Sequence, residues 1–223
     1  MEKKSSYIKL PNGLIRLAKD YKCLIPTYIY VALHSDSRVE NVVDTNLEHI
    51  VETFKPNEDS RKGLDLKFKQ CLKILQNDYD SIDFFYGSFG AENLDEIRKN
   101  ERIQFTFVDA SRKDFSGYVK LNFKDVYDLI DTVPYRNELR EEKRASEGTK
   151  DDNRKIDLCD VLNVYAYYMY RKNLYEHNGG EFDESLKRIG KQLGLGDKTV
   201  ARCLNEIGEI LSGEEEDGFM DGI

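Results

Sequence analysis

Gly190, Gly194 and Gly196 precede the pair Lys198-Thr199, a set of residues that could cradle a phosphate with backbone N–H groups. A phosphate loop needs glycine directly before the lysine. Asp197 stands there and carries the wrong charge, so that chemistry is excluded. Gly87 and Gly90 after a strand-like run are two glycines without the rest of a motif. His34, His49 and His177 are scattered and accompany no nucleophile motif. Cys23, Cys71, Cys159 and Cys203 are widely spaced singles without a CxxC pair, which fits neither a zinc site nor a disulfide framework. The acidic runs lack metal-ligand spacing. The expectation is a chain that is not an enzyme and holds no cofactor and no metal. Binding chemistry remains. Between Ser60 and Asn77 a helical period places Leu64, Phe68, Cys71, Leu72 and Leu75 inward. Arg61, Lys62, Lys67, Lys69, Gln70 and Lys73 then share the outer face, a cationic row suited to phosphate contact.

The elements that would position such contacts are clearest from Ser185 to Leu211. Leu186, Ile189 and Leu193 lie three and four apart on one helical face. Gly194-Leu195-Gly196 interrupts them, and Gly194 can take the positive φ that closes a helix. Leu195 is apolar within the turn, Asp197 suits an N-cap, and Val200, Leu204, Ile207 and Leu211 make a second inner stripe.

This stretch resembles a helix-turn-helix DNA-binding unit. Ile189, Gly190, Leu193, Gly194, Leu195, Val200 and Cys203 stand where that family wants buried, small, buried, turn-glycine, buried, buried and buried residues. Gly190 is the small residue that lets the two helices approach. The resemblance implies that the second helix lies in the major groove with its N-terminal side chains at base edges. Lys198, Thr199, Arg202 and Asn205, with Asp197 and Ala201, are then the outward residues. Arg and Asn are the side chains that pair bidentately with guanine and adenine edges.

The 223 residues suit one large domain or two small ones. No apolar run is long enough to span a bilayer, and Met1–Ser6 has no apolar segment of a signal peptide behind it, so the expectation is a cytoplasmic chain without membrane contact. The net charge of −8 argues against DNA, but Glu214, Glu215, Glu216, Asp217 and Asp221 supply five of those charges in a terminal segment. Residues 1–133 read as an apolar helix around Tyr28–Leu33, a helix opened by a Thr45–Glu48 capping box, the basic helix, and strand-like runs at 81–86, 103–108 and 118–123, with a short helix at 93–100. Three helices and then a β-hairpin resemble a winged helix with an enlarged wing. Residues 134–155 are charge-rich and read as a linker, 156–212 as a three-helix helix-turn-helix domain, and 213–223 as an acidic tail. The expected fold class is mainly α with a small antiparallel β part, an α+β chain. The arrangement is similar to replication initiators and replisome organisers of phages and plasmids. It implies a sequence-specific binder of double-stranded DNA that recruits replication proteins. A transcriptional regulator, acting as a homodimer with transcription proteins, and a protein–protein adaptor without DNA contacts are the alternatives.

Overall fold

The computed structural model describes residues 6–35, 41–54, 63–79, 81–87, 93–108, 117–147, 154–177 and 184–212. Among them the chain is mainly helical with small antiparallel sheets, an α+β fold. Strand β1 (Tyr7–Pro11) leads into helix α1 (Asn12–Leu17) and helix α2 (Leu24–His34). Strand β2 (Val42–Thr45), helices α3 (Leu47–Phe54) and α4 (Leu64–Asn77), and strands β3 (Ile82–Gly87) and β4 (Ile103–Phe107) follow. Then come strand β5 (Tyr118–Asn122) and helices α5 (Phe123–Glu147), α6 (Leu158–His177), α7 (Leu186–Leu193) and α8 (Asp197–Ser212).

The three helices followed by a hairpin are present as α2, α3, α4, β3 and β4, and β2 is an addition that sequence periodicity did not expose. It is only four residues long, too short for an alternating pattern to stand out, and it pairs antiparallel with β4 to give the order β2-β4-β3. The third strand-like run does not extend this sheet. It forms β5 and pairs antiparallel with β1, a five-residue strand near the N-terminus. Residues 93–100 are turns, not a helix. Leu94 and Ile97 are buried there, and Lys69 and Lys73 of α4 hold the backbone and Asp95 from outside. The cap of α3 is Asn46, whose Oδ1 accepts the His49 N–H at 2.7 Å; Thr45 closes β2 instead.

The linker expectation fails over 134–147, which is helix. Helix α5 runs through Pro134, and Val126, Leu129 and Val133 are buried along it. Its charged half docks on α8 through Arg136 and Arg140, which both reach the buried Glu206. High charge read as a linker because the partners of these charges lie far away in sequence, on α8. Residues 148–153 of that proposed linker and the acidic tail lie outside the described residues.

Helix α6 is central. Val161–Tyr167 are buried on every side because α1, α2, β5, α5, α7 and α8 all pack around it. A helix apolar all round belongs in a core. The buried side chains from Ile8 to Ile207 accordingly form one contiguous cluster. Polar ties cross it: the Lys22 ammonium meets Asp157 at 2.7 Å and Asp160 at 3.0 Å, and Asn163 donates to the Lys22 carbonyl at 2.8 Å. All four cysteines are free and buried.

Candidate nucleic-acid interface

The turn between α7 and α8 is built as its sequence requires. Ser185 caps α7 by accepting the Arg188 N–H. Gly194 takes φ +70° and ends the helix, and the N–H groups of Gly194 and Leu195 both return to the Gly190 carbonyl. A Cβ at Gly190 would stand 2.4 Å from the Leu195 carbonyl oxygen, a backbone atom that cannot swing aside. The small residue there is a steric requirement of the helix approach. Ile189, Leu193, Val200, Cys203 and Ile207 are buried and Leu195 is half-buried. Leu186 is the exception: it is exposed, at the open first turn of α7. Helix α8 has its first ladder bond from Val200 N–H to the Gly196 carbonyl, so Asp197 sits inside the first turn and Gly196 precedes it.

The side chains assigned to base edges divide. Lys198 and Asn205 are exposed and Thr199 is half-buried. Arg202 does not point to solvent as the resemblance implied. Its guanidinium donates to the Arg154 carbonyl and, at 3.5 Å, to that of Lys155. It therefore secures the segment that enters α6. Sequence spacing could not show this, because the segment lies 48 residues away. Of the residues the resemblance assigned outward, Asp197, Lys198 and Asn205 are exposed, and Thr199, Ala201 and Arg202 are half-buried.

The basic row on α4 is largely engaged within the fold. Lys69 donates to the carbonyls of Asp95 at 3.0 Å and Ile97 at 2.6 Å. Lys73 pairs with the Asp95 carboxylate at 2.7 Å and holds it below the usual carboxylate range. Lys67 is exposed and lines a cavity of about 470 Å³ with Lys22, Gln70 and Asp157. Arg61 and Lys62 lie outside the described residues. A row read as a phosphate face works chiefly as a brace for the 93–97 turns.

The chain matches no protein-family model, no curated protein and no solved structure.

Two cations that sequence reading passed over lie on α7. Lys187 and Lys191 lie one turn apart on α7 and are exposed. Among the described residues neither they nor Lys198 has an ion-pair partner, whereas Arg188 pairs with Glu184 at 2.8 Å. Their signal was in the sequence: both fall opposite Ile189 and Leu193 on the same amphipathic turn. Among the described residues no cluster of His, Cys, Asp or Glu could hold a metal ion, and no helix is long and apolar enough to cross a membrane.

Proposed function

We propose that the chain binds double-stranded DNA through α7 and α8. One observation carries the reading. The Gly190 approach and the left-handed Gly194 turn set α8 against α7 with Lys198 exposed in its first turn and Asn205 exposed two turns on, while Lys187 and Lys191 on α7 are exposed and have no ion-pair partner among the described residues. Asn205 supplies an amide suited to an adenine edge, and the three lysines supply phosphate contacts that set register without reading sequence. The α2–β2–α3–α4–β3–β4 order, with β2 tying the hairpin back to the helices, supports the winged-helix reading of the first half. By architectural resemblance the role is that of a phage or plasmid replication initiator or replisome organiser.

Selection of bound duplexes from a random pool tests the reading. A recovered site should lose about 5- to 150-fold affinity with Asn205→Ala, the range of one base contact. Repeated sites clustered in one region support an initiator, and a single palindrome bound by a dimer supports a regulator.

The adaptor reading has its own observation. Arg202, Lys69 and Lys73 spend their donors inside the fold, and the net charge is −8. Recovery of no enriched duplex, with no salt-dependent binding to random DNA, favours it.

A further inference from the structure

The two-stranded sheet of β1 and β5 has one face in the core and one in solvent. Alternation along the strands buries Ile8, Leu10, Val119 and Leu121 and turns Tyr7, Lys9, Tyr118 and Lys120 outward. The antiparallel register sets Lys9 directly opposite Lys120. Like charges facing each other across a ladder destabilise it, and nothing in the core on the other face requires them. Each ammonium lies over a tyrosine ring of the other strand: Lys120 over Tyr7 at 4.7 Å and Lys9 over Tyr118 at 5.8 Å. The ring faces attract the cations, and the result is a cross-strand platform that alternates aromatic and positive groups.

A cavity of about 480 Å³ opens beside the platform. Tyr118, Lys120 and Asn12 form one side, and Tyr170, Asn173 and Leu174 of α6 form the other; among the described residues no carboxylate lines it. Tyr118 is 40 % exposed and Leu174 36 %, so apolar surface is open to a ligand. Tyrosine rings offer stacking faces, amides offer donors and acceptors for a base edge, and lysines offer phosphate contacts. Bases in a duplex are already stacked, so the ligand that presents both a bare ring face and an adjacent phosphate is an unpaired strand.

We propose that this platform and its cavity bind single-stranded nucleic acid, with an unpaired base stacked against Tyr118 and Tyr170 and its backbone phosphates held by Lys120 and Lys9. The site is separate from the face of α7 and α8, and it stands or falls independently of duplex binding.

Fluorescence anisotropy of a labelled 12-nucleotide oligothymidylate, with the full chain across a salt series, tests it. Binding should weaken with salt. Tyr118→Ala should lose about tenfold affinity and Tyr118→Phe should keep it, as stacking requires. Lys120→Gln lies on the solvent face and should flatten the salt slope by about 0.7 units, the share of one phosphate on a single strand. Replacing Lys187, Lys191 and Lys198 should leave strand binding as in the parent, which separates this site from the duplex site. Thymidine 5′-monophosphate should compete only at far higher concentration. No oligonucleotide binding, parent-like affinity and slope in folded Tyr118→Ala and Lys120→Gln, or a monophosphate that competes as well as the 12-mer would each overturn the proposal.

Discussion

Gly190 fixes how closely the turn between α7 and α8 can approach α7. Because its added Cβ would meet backbone, Gly190→Ala should destabilise the chain by about 1–3 kcal/mol, the usual cost of overpacking. Thermal unfolding followed by circular dichroism measures this, and a variant as stable as the parent would refute the close approach. Arg202 makes the opposite point. Its donors hold backbone carbonyls near the surface, so Arg202→Ala should cost about 0.5–1.5 kcal/mol of stability, the net worth of a typical hydrogen bond. Its effect on duplex affinity should be smaller than that of Lys198→Ala, as paired titrations of the two folded variants would show. The residue types for turn and core were legible in sequence, because a glycine at positive φ and an apolar stripe are local properties. The partner of a long polar side chain is not local, and this is why Arg202, Lys69 and Lys73 were read as outward.

Helices and strands were legible where periodicity was strong. Helices α2, α4, α6, α7 and α8 follow their apolar stripes, whereas β1 and β2 are four or five residues long and declare themselves only by pairing. Only the second half of helix α5 was hidden by its charge, since Arg136, Arg140 and Glu206 form their ion pairs only after α8 is in place, whereas Phe123, Val126 and Ile130 mark the first half by their helical spacing. At this scale the α2–α3 contact carries a pH dependence. His34 stacks on Tyr30 at 4.0 Å, and Tyr30 also bonds to His49 and Thr45. Burial pushes the Tyr30 hydroxyl up to about 12 and holds the His34 imidazole below its ordinary range, with His49 acting in the same direction on His34. The unfolded chain therefore takes up a proton at His34 before the folded one does. Stability should fall as pH drops from about 6.5, the unfolded histidine value, through the lower folded value. Denaturant titrations at stepped pH check the sign, and His34→Gln should flatten that part of the curve. Stability rising on acidification through this window would contradict it.

The molecule as a whole is organised around α6, which contacts elements from both halves of the chain. Ties such as Lys22 to Asp157 and Asp160 bind the start of α2 to the start of α6. Burial alone would lower the Lys22 ammonium, but the two carboxylates outweigh it and keep it above the usual lysine range. Composition could not reveal this integration, because a charge-rich stretch and a tyrosine-rich helix look alike whether they separate two units or join them. The duplex binding proposed for Lys187, Lys191 and Lys198 is a property of this whole scaffold, which holds α7 and α8 against α6. Its most direct test is affinity for a random DNA duplex over a salt series, compared between the parent and a variant in which Lys187, Lys191 and Lys198 are replaced by Gln. Each phosphate contact contributes about 0.9 to the slope of log affinity against log salt, so the variant should lose roughly three units of slope while remaining folded. A parent with no salt-dependent affinity, or a variant with the parental slope, would contradict duplex binding at this face.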